Sequence, residues 1–555
     1  MKKQTFLVGV LILFIAGMLA KVLGAVYRIP LTWILGAEGL GLYQLIFPVF
    51  SLLLVLSSSG MPTAISKLIA NHLSQNDYIS VKKILKISLL LLGSIGLLFG
   101  ILLSLLSFQI ASLQQNPQLS IGYIAIAPSL FLVSILSCFR GYFQGHSLMM
   151  PTALSQIIEQ AGKLILGLIL SATLIDFGVE YGVLGAILGT TLSEVIAVVV
   201  MFLYYKYHSK IGYNSSQSQL HNTLHSIKIY KKASEKSKDN ALLKKRIPKS
   251  INSISNKTVT APIKTNKQIC ATLIKTSLPI ILASVILPVL NFIESLVVIP
   301  LLFNAGFSNT SATMLWGINT GVVNSLINMP ITLSLSSAIS LVPALASTQN
   351  PQKIQQNYTQ ALTLSMLFCI PVFFGFILLA SPIISLLYND SLGGNTFLSL
   401  AITMLISSSI IILLGSSLQI QNSTLQSLGK GKISLFNMAI SGILKIILFL
   451  ILVQIPSINI WGSVISNIAF YLTAFTLNYI VISYKLKIKF PLKKLTPFIN
   501  GSLLLILFIL NLKIAFAPST ILLIIEIIGG AALYLFAVVI FIDPKSLPIK
   551  KKKLV

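Results

Sequence analysis

The sequence predicts an all-α polytopic membrane protein of fourteen transmembrane helices, arranged as two pseudo-symmetric six-helix lobes followed by two C-terminal helices. Composition is the first reason: 55% of the 555 residues are apolar and only 9% are charged, with a mean hydropathy of +0.90, a balance found in membrane-spanning chains rather than soluble domains. The second reason is window length, because each apolar run matches the roughly 20 to 25 residues that one crossing of the hydrocarbon core consumes. The third is the single long polar interval, from about Ser209 to Cys270, which a membrane would reject and which separates six runs from eight.

The first half holds windows at 5–28, 40–71, 82–108, 119–146, 150–173 and 182–208. The second holds 271–303, 312–347, 358–387, 395–427, 433–455 and 459–484, and two further windows cover 494–513 and 519–542. The expected organisation is therefore an N-terminal lobe over 1–208, a basic cytoplasmic connector over 209–270, a second lobe over 271–487, and a final pair of helices with a basic tail over 488–555. The connector carries Lys228, Lys231, Lys232, Lys236, Lys238, Lys244, Lys245, Arg246 and Lys249 against Glu235 and Asp239. Its composition reads as a solvated linker, or as a docking segment for cell-wall enzymes on a scaffold that does not transport. The first window starts at Lys2 and Lys3 like a signal peptide, but it lacks a small-residue cleavage site and is read as a retained helix.

Charge orients the chain. Connections after even-numbered windows hold Lys82, Lys83 and Lys86, then His146, the basic connector, Lys353, Lys430 and Lys432, and Lys485, Lys487, Lys489, Lys493 and Lys494. Those after odd-numbered windows hold Glu38, Asp176, Glu180 and Asp390, with Lys513 breaking the trend. Cations resist translocation, so the lysine-rich side is expected in the cytoplasm with both termini, at Lys2/Lys3 and Lys550 to Lys553. A net charge of +28 placed in this way points to an anionic leaflet and anionic lipids as partners, not to nucleic acid.

A repeat supports the two lobes. Shifted by 282 residues, Phe143-Gln144 falls on Leu425-Gln426 and Lys163-Leu-Ile-Leu falls on Lys445-Ile-Ile-Leu; shifted by 274, Ala64-Ile-Ser falls on Ala338-Ile-Ser. The shared order implies a parallel duplication, the usual origin of a two-lobed transporter.

Ionisable residues inside windows cost a few kcal/mol unless paired or hydrated, so they are the candidate site. Lys21 and Arg28 lie about two turns apart on one face, placed to bind an anionic headgroup or, for Arg28, to anchor at the interface. Glu159 and Lys163 have the i, i+4 order of an intrahelical ion pair, whereas Lys445 repeats Lys163 with no acid four residues before it. Arg140 sits where it snorkels to phosphate or touches substrate. Glu194 and Glu294 are single carboxylates suited to taking up H+ or Na+, or to staying buried and protonated. Asn291, Asn319, Asn324 and Asn328 line a cavity or bond between helices, and Pro62, Pro279, Pro288, Pro330 and Pro343 are candidate bends.

Enzyme signatures are missing: there is no phosphate loop, HExxH or serine elbow, and Cys138, Cys270 and Cys369 have no metal or disulfide spacing. The expectation is a transporter without a cofactor, coupled to the membrane potential, H+ or Na+.

Lys21-Val-Leu-Gly-Ala-Val-Tyr-Arg28-Ile-Pro-Leu, Leu35-Gly-Ala-Glu38-Gly-Leu-Gly-Leu-Tyr43-Gln and Gly60-Met-Pro-Thr-Ala-Ile-Ser-Lys67 resemble the stage V sporulation protein B and MurJ-like branch of the polysaccharide and lipid II flippases, in the superfamily of the MATE exporters. Arg140-Gly-Tyr-Phe-Gln-Gly145, Pro151-Thr-Ala-Leu-Ser-Gln-Ile-Ile-Glu159-Gln, Trp316-Gly-Ile-Asn319 and Asn328-Met-Pro330 extend the likeness over essentially the whole chain. The resemblance implies the MOP fold, alternating access in a bacterial cell membrane, a monomer, and export of an undecaprenyl-linked saccharide, foremost lipid II. It also implies that cavity cations of the first lobe, here Lys21 and Arg28, meet the pyrophosphate. The Gram-negative type has further arginines in its second and eighth helices, where this chain has Leu and Ser, and Asn319, Thr320 and Gly321. Competing expectations on the same fold are export of another undecaprenyl-linked unit, or cation-coupled multidrug export.

Overall fold

The computed structural model describes residues 6–541 apart from Asn76, 237–264, Ser347 and Asp390. The terminal lysines, Asp390 and the connector cations from Lys238 to Lys249 lie outside the described residues.

The first half runs through α1 (Phe6–Val26), α2 (Arg28–Ser58), α3 (Met61–Ser74), α4 (Tyr78–Leu105), α5 (Ser107–Leu113), α6 (Leu119–Gly145), α7 (Met150–Leu174) and α8 (Val179–Lys236). The second half runs through α9 (Asn266–Ser284), α10 (Ile286–Asn304), α11 (Asn309–Gly317), a π turn (Ile318–Val323), α12 (Asn324–Ala346), α13 (Pro351–Tyr388), α14 (Asn395–Ser408), α15 (Ile410–Ser427), α16 (Gly431–Leu452) and α17 (Trp461–Ile480). Helices α18 (Leu492–Ala515) and α19 (Thr520–Phe541) close the described chain. Side chains start several helices: Asp77 accepts from Ser80 N at 3.0 Å, Thr265 and Gln268 form a capping box, and Asn350 caps α13 ahead of Pro351.

Among the described residues twelve helices are long and apolar enough to cross a membrane, or thirteen when a pair bent by 41° counts as one span. The first of the twelve is a 64-residue run, Leu11–Ser74, that covers most of the first expected window and all of the second. Left-handed glycines interrupt it, Gly36 at φ 67° and Gly60 at φ 71°, a conformation a Cβ would oppose. The expected seventh window is likewise two helices, α9 and α10, parted by a bend at Val285. The 41° bend falls between α14 and α15 at Ser409, where no expected proline stands. There the serine hydroxyl donates to Ile406 O at 2.7 Å and competes with the helix ladder.

Prolines act elsewhere, by freeing carbonyls. Pro371 and Pro382 inside α13 cannot donate to the residues four before them, Leu367 and Leu378. Both orphaned acceptors are taken by the last two helices: Tyr534 Oη donates to Leu367 O at 2.8 Å, and Lys513 Nζ donates to Leu378 O. Lys513, the cation that breaks the charge pattern, thus has a local task.

The two halves meet at the acid-bearing end. Trp33 Nε1 donates to Leu387 O at 2.6 Å, and Asn309 Nδ2 donates to Gln115 O. Between them α2 and α11 touch backbone to backbone, with Gly41 on Thr313 O and Gly317 on Ala37 O, so that neither position has room for a methyl group. One apolar core runs through this contact, with Leu31, Leu40 and Ile46 packed with Leu315, Trp316 and Val322. At the lysine-rich end the first half has a separate core, Ile65, Ile69, Ile84, Phe139 and Phe143 among its members. Ile269 and Leu273 of α9 join it from the second half.

Candidate functional site

Arg28 opens α2 directly after Tyr27, half-buried, and its Nη1 donates to Ser325 Oγ on α12 of the other lobe. Ser325 donates onward to Gly321 O in the π turn, where the widened register loosens the ladder. Lys21, seven residues earlier on α1, is exposed. Neither cation has a carboxylate partner among the described residues.

Lys163 corrects one expectation. It makes no pair with Glu159; its Nζ lies instead 4.4 Å from the centre of the Phe47 ring, 5.4 Å from Tyr27 and 5.7 Å from Tyr43. Glu159 is taken by Arg140, whose Nη2 reaches Glu159 Oε2 at 2.8 Å while its Nε donates to Ser155 Oγ at 3.0 Å. A planar guanidinium presents its donors in a fixed fork that reaches two side chains one turn apart on α7. Lys163 is left to the faces of aromatic rings, an attraction worth about 0.5–2 kcal/mol.

Lys445 corrects a second. The absence of an acid on its own helix suggested an uncompensated lysine, yet its Nζ lies 2.9 Å from Glu294 Oε1 on α10, with both side chains 5% exposed. It also lies 5.9 Å from the centre of the Phe470 ring. The acid comes from 151 positions away, where spacing on one helix cannot see it. Glu294 is therefore not a single carboxylate, whereas Glu194 on α8 is buried and its Oε2 has no hydrogen-bond partner among the described residues.

Asn319 donates to Ser463 Oγ on α17 at 2.8 Å and is 1% exposed. Asn324 is half-buried and Asn291 and Asn328 are exposed, so the asparagines do not share one lined face. The structure thus brings Arg28 and Lys163 together around Tyr27, with Lys21 farther along α1, and consumes Arg140, Glu159, Lys445 and Glu294 in pairs.

Sequence reasoning missed Ser325 and the ring set Tyr27, Tyr43 and Phe47. It also missed a bonded set in the second lobe, in which Asn478 donates to Asn422, Asn437 donates to Asn478 and Ser434 donates to Asn422. Glu526 was missed as well. It is the one carboxylate of the last window, 3% exposed, and its Oε1 has no hydrogen-bond partner among the described residues. An acid inside an apolar run was signal enough.

A family model described as "Polysaccharide biosynthesis protein" matches residues 6–229, and a second with the same description matches 320–392. Stage V sporulation protein B of Bacillus subtilis (strain 168) is 27% identical over 501 residues, 89% of this chain and 86% of that one. Lipid II flippase MurJ of the same organism is 24% identical over 504 residues, 87% of this chain and 84% of that one. A solved structure of lipid II flippase MurJ in an inward closed conformation superposes with a TM-score of 0.64 at 16% identity, over 96% of this chain and 98% of that one. Helices and sequence agree: the chain has the fold of the MOP superfamily and is similar over most of its length to stage V sporulation protein B and lipid II flippase MurJ.

Proposed function

We propose that the protein is a lipid-linked saccharide flippase that moves an undecaprenyl-pyrophosphate-linked peptidoglycan precursor, lipid II, from the inner to the outer leaflet of the cell membrane by alternating access. One observation carries the reading: Lys21, Arg28 and Lys163 stand in the first lobe with no carboxylate within ion-pair distance among the described residues. Unpaired cations persist among spans only where they face water, protein or an anion, and a diphosphate is the anion that a guanidinium with nearby ammonium groups fits. The names of the relatives, lipid II flippase among them, support the same substrate class.

With the lysine-rich end in the cytoplasm, the lobe contact at Gly41 and Gly317 is the outer seam, and the cations are reached from the inner leaflet. A diphosphate arriving there takes the Arg28 guanidinium from Ser325 and removes a bond that ties the lobes together. Substrate binding and lobe separation are coupled by that exchange. Glu194 is left as the carboxylate for coupling to H+ or Na+, with the membrane potential acting on the uncompensated cations.

The test is lipid II translocation in vesicles carrying the purified protein. Lys21→Ala, Arg28→Ala and Lys163→Ala are each expected to slow it at least about tenfold, the worth of about 1.4 kcal/mol. Wild-type rates in all three variants defeat the cavity assignment. Transport of a different undecaprenyl-linked unit, or of cationic drugs, in place of lipid II defeats the substrate assignment.

A further inference from the structure

A cavity of about 690 Å³ opens at the lysine-rich end between α12, α13, α18 and the end of α19. It lies apart from Lys21, Arg28 and Lys163, and no step of the proposed transport uses it. Its walls change character with depth. Lys493, Lys494 and Gln360 are exposed polar residues of its lining, with Asn357 beside them, and the wall continues past Thr363 to Leu364, Leu367 and Phe498.

From Asn357 to Leu367 α13 advances ten residues, about 15 Å at 1.5 Å per residue, half of the roughly 30 Å hydrocarbon core. The cavity therefore spans one leaflet, polar at headgroup level and apolar below. Leu364 is 51% exposed and Phe541 45% exposed at its edge, which gives it an apolar side opening to lipid. Thr363 Oγ1 is a buried hydroxyl without a hydrogen-bond partner among the described residues.

Charge selects the occupant. The Lys493 and Lys494 side chains make no ion pair among the described residues, Lys485, Lys487, Lys489 and Lys353 lie on the segments leading into the same end, and no acid lines the cavity. The backbone around it is held still: Gln355 exchanges two hydrogen bonds with Lys489, at 2.8 and 2.6 Å, and Thr496 donates to Lys493 O at 2.9 Å, the carbonyl freed by Pro497.

We propose that this cavity is a binding site for an anionic glycerophospholipid of the inner leaflet, its phosphodiester on Lys493 and Lys494 and one acyl chain along Leu364, Leu367 and Phe498. The lipid is resident rather than transported, and it cements α18 and α19 to the second lobe.

Native mass spectrometry of the full-length protein in mild detergent tests this, with phosphatidylglycerol and phosphatidylcholine as probes. The wild type is expected to retain one phosphatidylglycerol in preference to phosphatidylcholine. Lys493→Gln with Lys494→Gln is expected to weaken that binding about 30-fold, at roughly 1 kcal/mol per lysine. Leu364→Trp, which fills the apolar part and keeps the charge, is expected to abolish it, whereas Lys485→Gln with Lys487→Gln, outside the lining, leaves it within about twofold. Equal retention of the two lipids, or undiminished retention by the double Lys493/Lys494 variant, overturns the proposal. So does displacement of phosphatidylglycerol by equimolar undecaprenyl pyrophosphate, which would make the cavity a substrate site, or lipid binding that appears only after deletion of residues 542–555, which would make the chain's own tail the occupant. None of these readings depends on transport, so failure here leaves the flippase assignment untouched.

Discussion

Replacing Lys445 with methionine separates a structural cation from a substrate-binding one. The substitution keeps the length and apolar stem of the side chain and removes the charge 2.9 Å from Glu294. Both partners are 5% exposed, so neither is rescued by water. Removing one partner of a buried pair costs about 3–5 kcal/mol, because the other is stranded, whereas replacing both with apolar residues of similar volume is often neutral or stabilising. Lys445→Met alone should therefore destabilise by about 3 kcal/mol or more, and Lys445→Met with Glu294→Leu should recover nearly all of it. The expected coupling in a double-mutant cycle exceeds about 2 kcal/mol. Lys163→Met, which strands no acid and loses only ring contacts, should cost about 1 kcal/mol.

Reversible unfolding in detergent micelles measures the stabilities, and vesicle translocation measures the activities. The two lysines are expected to rank oppositely in the two assays: Lys445→Met the more destabilising, Lys163→Met the more damaging to transport per unit of stability lost. Additive effects in the cycle, or a cost for Lys445→Met of no more than that for Lys163→Met, would refute the reasoning.

Other consequences follow from the same geometry. Tyr534→Phe strands Leu367 O and should cost about 1 kcal/mol; adding Pro371→Ala returns an N–H to that carbonyl and should restore most of it, as thermal unfolding would register. Gly41→Val has no room against Thr313 O and should part the outer seam, which electron-spin distance measurements between labels at positions 33 and 387 would report as a longer separation; an unchanged distance contradicts the close approach. Glu194→Gln should leave the fold intact and remove any dependence of translocation on a proton or sodium gradient, while a fully retained dependence takes Glu194 out of the coupling.

What the sequence disclosed was whatever depends on neighbours along the chain. Apolar windows, the lysine-rich side and the repeat around Lys163 and Lys445 all follow from local composition and spacing. What it withheld was set by packing. Glu159 stands four residues before Lys163 in the order that favours a pair, but Arg140 on α6 competes for the carboxylate with a fork that also reaches Ser155. The acid of Lys445 comes from α10, 151 residues earlier in the sequence. Pro371 and Pro382 of α13 are not among the prolines read as bends, and the carbonyls they release are occupied by side chains of α18 and α19 that local sequence does not reveal. Nor did the windows disclose the breaks inside 40–71 and 395–427, where Gly60 and Ser409 divide helices without a polar gap.

Lys163 and Lys445 occupy the same place in the two repeats and meet opposite electrostatic fates. In the second lobe the ammonium is cancelled by Glu294, so that half presents an ion pair and a set of bonded asparagines, both of which make a packed bundle rigid. In the first lobe Lys163 lies over ring faces and Arg28 donates to a neutral serine, and neither makes an ion pair among the described residues. On the proposed reading, a duplicated bundle that pairs one copy of its cation and leaves the other outside any ion pair divides its labour: the first lobe would supply the charge for a diphosphate, and the second a stiff body for it to move against. Because Arg28 is tied to Ser325 of the second lobe through a neutral hydroxyl, on the same reading a charged ligand would outcompete that bond, so that the asymmetry in charge would become the trigger for movement between the lobes.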